Sequence, residues 1–333
     1  MTIRLEDTTA SAINDVIARE RHHIGAATGM ALTLLIVTDE EHQSEAARAA
    51  TYSANQHPCR ILIVIARPAR GKPRLDADIH VGDGEGPGEM IRLRLIGPLA
   101  HQEASVVVPL LLPDTPIVAW WPGRAPTDPA ADPVGQLAAR RITDAASSRT
   151  PLAALVDRAQ VYQPGDTDMA WTRTTAWRSL LATALDEPFP TITGAEVFAR
   201  KANPSAMLLA SWISARLGVP AAVTAHRAEG ISEVRLHTVD GDIGVARPDG
   251  HLAKVYRPEF TSRGIPMPRR ELRDLLSEEL RRLDSDEIYA QALAYLGEHQ
   301  DALSGGPSKA KGRSPKPAKP AKPTKRSKRT TKS

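Results

Sequence analysis

Apolar and polar positions are distributed in two different ways along the chain. In the first 150 residues the apolar positions come as near-continuous runs, with helical stretches between them. MALTLLIVTD (30–39) and CRILIVIARP (59–68) show no alternation, the pattern of strands covered on both faces. EEHQSEAARAATYSANQ lies between them and reads as a helix. A strand, helix, strand order at this spacing predicts a right-handed parallel crossover. Upstream, Thr8 or Asp7 is placed to cap a helix reaching about His23, with Ile13, Val16 and Ile17 on one face. ADIHVGD and MIRLRLIG predict half-exposed strands, because Ile91, Leu93 and Leu95 alternate with Arg92 and Arg94. HQEASVVVPLLL predicts a short helix and PIVAWW an inner strand. DPVGQLAARR predicts a helix, and RITDAA the start of one more strand. Residues 1–150 are therefore expected to form an α/β sandwich with a mainly parallel sheet.

Residues 151–190 read as a helical connector that stops before Pro188 and Pro190. Residues 191–303 change character. TITGAEVFAR is strand-like, and Asn203-Pro204 is a helix start with its cap and its first-turn proline. Gly218 and Pro220 end that helix, which is apolar nearly all round and so is predicted to be deeply buried. Short strands follow, joined by turns at Asp240-Gly241 and Asp249-Gly250. Two amphipathic helices close the region, the first carrying Leu272, Leu275, Leu276, Leu280 and Leu283 on one face and the second capped by Ser285. This part is expected to be a smaller α+β domain with an antiparallel sheet. Residues 304–333 repeat Lys, Pro and Ala, cannot bury a core, and are expected to be a disordered basic tail.

Charge changes the picture only at that tail. The formal net charge is +4, but eleven of the 43 Lys and Arg lie from Ser304 onward, which leaves 32 against 39 acids. The body is mildly acidic and does not suit a nucleic-acid groove, which needs a clustered basic surface. The tail itself fits weak, nonspecific polyanion binding. No run of about 18 apolar residues predicts a membrane span, and the acidic N-terminus lacks the order of a signal peptide, so a cytoplasmic location is expected. Cys59 is the single cysteine, which rules out an internal disulfide and predicts a small buried thiol at the head of a strand.

Chemistry-bearing motifs are sparse. GDGEGPG (82–88) is followed by a strand and carries Asp83 and Glu85, so it reads as a hairpin loop and not a phosphate cradle. Asp76, Asp78 and His80 share a strand face and read as a solvated surface, with a divalent-ion site as the alternative. No histidines stand at metal spacing with a third ligand, and no nucleophile elbow, P-loop or dinucleotide fingerprint is present, so neither catalytic residues nor a cofactor are assigned. A sugar-phosphate sensor or enzyme built on the strand ends remains an alternative, with Arg92, Arg94, Arg140 and Arg141 as its anion ligands.

Tryptophan is the outlier. Trp120 and Trp121 are neighbours on a strand and must point to opposite faces. Trp171 and Trp177 sit among Asp166, Asp168, Arg173 and Arg178. Packing of the helical segment onto the WW strand accounts for at least two of these indoles. The alternative makes some of these eight residues exposed partner-binding anchors, a type worth about 2 kcal/mol or more on truncation.

The stretches DTTASAINDVIARERHHIG, MALTLLIVTDEE, HPCRILIVIARP, GPGEMIRLRLIG, VVVPLLLPDTPIVAWWPG and YQPGDTDMAWTRTTAWRSLLATALD closely resemble the bacterial OpcA family of glucose-6-phosphate dehydrogenase assembly proteins. The resemblance runs over most of residues 1–300 and leaves out the tail. It implies a non-catalytic partner that binds glucose-6-phosphate dehydrogenase and supports its assembly or activity. Trp120, Trp121, Asp166, Asp168, Trp171, Arg173, Trp177 and Arg178 belong to the shared pattern.

Overall fold

A computed structural model describes residues 2–24, 29–82, 88–258 and 260–304. The first layer contains β1 (Thr2–Leu5), α1 (Ala10–Ile24), β2 (Leu32–Thr38), α2 (Gln43–Ala54), β3 (Cys59–Arg67), β4 (Arg74–Val81), β5 (Glu89–Ile96), α3 (Glu103–Val107), β6 (Ile117–Trp120) and β7 (Arg140–Thr143). It continues through α4 (Pro151–Val161) to β8 (Asp166–Asp168). The eight strands are ordered β1-β4-β5-β3-β2-β6-β7-β8. From β5 to β8 every neighbouring pair is parallel, and β1 and β4 add an antiparallel margin. The apolar runs thus become the inner strands β2 and β3. Ile13, Val16 and Ile17 of α1 cover one face, as their spacing predicts, and the alanine-rich α2 covers the other.

Three expectations need correction here. DPVGQLAARR is not a helix: only Gly135–Leu137 makes a short 3-10 turn, and Arg140 and Arg141 already belong to β7. Residues 166–168 are not helical either, because pairing with β7 draws Asp-Thr-Asp into the sheet edge despite its poor strand propensity. Residues 151–190 are also split, since β8 joins the first sheet while α5 (Met169–Thr172) and α6 (Thr175–Ala184) pack elsewhere. The second sheet is formed by β9 (Ile192–Ala199), β10 (Ala221–Ala225), β11 (Ile231–Thr238), β12 (Ile243–Ala246), β13 (Leu252–Arg257), β14 (Phe260–Thr261) and β15 (Ile265–Pro266), with α7 (Pro204–Leu217) between β9 and β10. Its pairs are antiparallel with one exception. β10 runs parallel to β9, because α7 carries the chain back across the sheet.

Local signals account for α7. Asn203 accepts the Ala206 amide, Pro204 opens the first turn, and Gly218 closes the helix in a left-handed conformation at φ 67°. α7 is buried against β9 and α9 (Glu287–Leu303). The cap of α9 is Asp286, one residue beyond the expected Ser285, and its carboxylate accepts the Ile288 and Tyr289 amides at 2.9 Å. α8 (Leu272–Arg281) leaves this second core. Its Leu275, Leu276 and Leu280 lie with α2 on the first sheet. Among the described residues no helix is long and apolar enough to cross a membrane. Residues 83–87 of the glycine loop, and the tail beyond Ser304, lie outside the described residues.

Candidate functional site

The parallel strands put their C-terminal ends on one edge. From β2 the chain passes to β3 on one side, while β6 lies on the other, which makes this edge a topological switch point. Asp39, just past β2, accepts the His42 amide at 2.9 Å and lies 2.7 Å from the ring Nδ1. Partial burial opposes ionisation, but the amide and ring of His42 outweigh it and hold the carboxyl below its usual range. Gly123, after β6, closes on the same ring: a Cβ there would lie 2.9 Å from Nδ1, so a larger residue would push the imidazole aside.

β7 runs straight into Asp144, and β8 ends on Asp168. Asp168 is sealed from solvent, accepts from Thr143 Oγ1 at 2.6 Å, and caps two chain segments through the Ala145 and Ala170 amides. Burial pushes its carboxyl up and Asp144 adds to this, while Arg158 opposes. Asp144 receives a two-pronged pair from Arg173 at 2.8 and 2.6 Å. Burial acts against the Arg173 charge, yet the Asp144 pair raises its pKa. Of these side chains His42, Asp144 and Arg173 border an open groove of about 1280 Å³ that also meets Arg48, Arg92 and Arg270. The carboxylates at the strand ends are thus engaged as caps or ion partners, an arrangement that locks strand ends to helix starts. Among the described residues no group of three metal-ligating side chains stands together.

The four indoles named from the sequence are all buried, which corrects the expectation that some are exposed anchors. Trp120 packs under α2 and α8, and Trp121 packs on the opposite face beside α1, so each neighbour has its own layer of this chain as cover. Trp171 donates its Nε1–H to Asp286 at 2.8 Å, with Arg178 stacked 3.7 Å above its ring. Trp177 lies beneath Arg247 at 5.1 Å. Asp166 and Asp168 are buried as well, so only Arg173 and Arg178 of the eight reach solvent, and both partly. The six apolar or acidic members are therefore taken up by packing and pairing inside this chain.

The arginines of the strand-end alternative are differently placed. Arg140 and Arg141 are buried and paired with Glu279 and Asp166. Arg94 binds Asp78 at 2.7 Å, and Arg92 alone reaches the groove. Asp76 and Asp78 answer Arg74, Arg94 and Arg4 along the antiparallel margin. Cys59 is fully buried, and burial pushes its thiol up to about 12.

Sequence reasoning overlooked three residues. Glu279 takes Arg140 at 2.5 Å and Thr172 at 2.5 Å across the two layers. Ser205 and Arg247 sit together in a cavity at the start of α7. Only Ser205 had a signal, its place two residues after the Asn203 cap.

Comparison with known proteins gives two family models, both for the glucose-6-phosphate dehydrogenase subunit. The model of its N-terminal domain matches residues 50–160, and the model of its C-terminal domain matches residues 164–293. No curated protein matches. Among solved structures, an oxidoreductase from Sinorhizobium meliloti has a TM-score of 0.41 at 8% identity, covering 80% of this chain and 87% of that one. A dehydrogenase (MviM) from Clostridium difficile has a TM-score of 0.33 at 4% identity, covering 81% and 92%. With its two domains matched in order along one polypeptide, the chain belongs to the OpcA family of glucose-6-phosphate dehydrogenase assembly proteins.

Proposed function

We propose that this protein is a non-catalytic assembly factor and allosteric activator, acting in the cytoplasm by binding glucose-6-phosphate dehydrogenase at the entry to the oxidative pentose phosphate pathway. The observation that carries this reading is the pair of family models, which describe two parts of one dehydrogenase-associated protein and follow each other in this chain. The strand-end geometry supports it, because the carboxylates there are engaged in caps and ion pairs that brace the scaffold. Activation requires that the protein bind one state of the dehydrogenase better than another, since only differential affinity moves an equilibrium. A tenfold shift needs about 1.4 kcal/mol.

With the indoles buried, the contact surface falls to exposed apolar groups. Phe189, Val239 and Phe260 are 42%, 71% and 56% exposed and gather at one end of the second sheet. Arg257 links the segment before Phe189 to β13 by donating to the Pro188 carbonyl at 2.7 Å, and Phe260 pairs with Arg257 in the ladder. The turn after Val239 closes on Pro258. Aromatic side chains at such a patch are typical interface anchors. Complex mass and dehydrogenase turnover, with and without the purified protein, test the reading. Co-elution and a rate change are expected at micromolar concentrations, and Phe189→Ser with Phe260→Ser is expected to weaken the complex about tenfold or more. Neither co-elution nor a rate change would remove the assembly-factor reading. An unaffected complex in the double variant would remove only this surface.

A further inference from the structure

Two cavities of about 190 and 450 Å³ meet at the start of α7, and both are lined by Asn203, Ser205, Gly230, Arg173 and Arg269. The first turn of a helix offers unsatisfied N–H groups and a positive dipole end. Here Pro204 has no N–H and Asn203 takes the Ala206 amide at 3.1 Å, so Ser205 supplies the free donor. Ser205 is only 5% exposed, and neither its amide nor its hydroxyl has a partner among the described residues. A serine so enclosed normally spends its hydroxyl on a neighbour.

Arg247 faces the smaller cavity and is 7% exposed. Its Nη1 and Nη2 donate to the Met267 and Ile231 carbonyls at 3.0 and 3.1 Å, and its Nε has no partner. No carboxylate pairs with it among the described residues. Burial pushes its pKa down, and Arg269 adds to that, with only Asp249 opposing. A buried cation without a counter-charge is costly, and an arriving anion removes that cost. The surroundings are cationic too. Arg200 and Lys201 stand exposed at the mouth of the larger cavity, and the sole carboxylate among the described lining residues, Glu229, is paired with Arg269.

We propose that these joined cavities bind a phosphate monoester, with its dianionic phosphate at the Ser205 amide and hydroxyl and opposite Arg247. Helix N-termini and guanidinium groups are the usual recognition pair for this charge. The larger cavity lies within the size range of small-molecule sites and receives the organic part. The proposal is separate from dehydrogenase binding, because it concerns the chain alone.

Calorimetric titration of the full-length protein with inorganic phosphate and with glycerol phosphate tests it, using chloride at matched ionic strength as the control. Saturable binding of both is expected, tighter for the ester. Ser205→Asp puts a carboxylate where the phosphate sits, a substitution that suits a helix N-terminus and keeps the fold. It is expected to weaken binding about tenfold or more, the worth of one charge-assisted hydrogen bond. Should Ser205→Asp fail to fold by circular dichroism, the surface pair Arg200→Ala with Lys201→Ala decides, with weaker binding expected. No saturable heat, an adventitious response to inorganic phosphate only, or unchanged affinity in the variant that folds would each overturn the proposal.

Discussion

Arg140 and Arg247 are both buried arginines, one in the seam between the layers and one at the start of α7. Arg140 has Glu279 at 2.5 Å and the Asp284 carbonyl at 2.7 Å, so its charge is answered by the fold. Arg247 has two carbonyls and no carboxylate. Arg60 with Glu89 and Arg141 with Asp166 repeat the first arrangement inside the first sheet. The same side chain thus does two jobs. Where a carboxylate answers it, it braces the fold; where none does, it keeps a charge in reserve for something that arrives later.

The largest effect that would sharpen this contrast comes from making Arg140 resemble Arg247. Glu279→Ala leaves a guanidinium buried without its partner and also orphans Thr172, which donates to Glu279 at 2.5 Å. A loss of about 3–5 kcal/mol is expected in urea unfolding. A cost under about 1 kcal/mol would break the distinction. Arg247→Met comes next. It orphans the Met267 and Ile231 carbonyls but removes an uncompensated charge, so the net loss expected is about 1–2 kcal/mol in the same measurement. A loss as large as that of Glu279→Ala would show that Arg247 belongs to the seam.

The last test is a control on burial without charge, and it is silent near neutral pH. Cys59 is held neutral, its folded pKa raised from 9.0 to about 12. A raised pKa gives a contribution that is complete below the unfolded value and fades as pH climbs toward the folded one. Stability should therefore decline between about pH 9 and 12 by more in the wild type than in Cys59→Ala, as read from urea midpoints. The thiol should also resist disulfide reagents at about pH 8 until the protein unfolds.

Much of the first layer was legible because its strands are buried on both faces, and nothing but core fits MALTLLIVTD or CRILIVIARP. α7 was legible for a different reason, since Asn203, Pro204 and Gly218 mark its ends locally. β1 was missed because four half-exposed residues, TIRL, carry no periodic signal, and β8 was missed because Asp-Thr-Asp is a strand only through β7. The parallel pairing of β10 follows from where α7 docks, which local sequence does not state. Tryptophan abundance at 120–177 was visible, but which face each indole takes depends on distant cover such as α8 over Trp120. The same holds for the cavity at α7. Ser205 gains its meaning from Arg247, whose own partners come from positions 231 and 267.

α8 has a consequence for how the protein comes into being. Leu275, Leu276 and Leu280 close the apolar face of a sheet whose strands end at residue 168. Until more than a hundred further residues are synthesised that face has only the alanine-rich α2 as cover, which makes the emerging amino-terminal half a natural client for chaperones. Severing the chain between its halves would leave neither product whole, so the gene cannot readily be split into two independent modules.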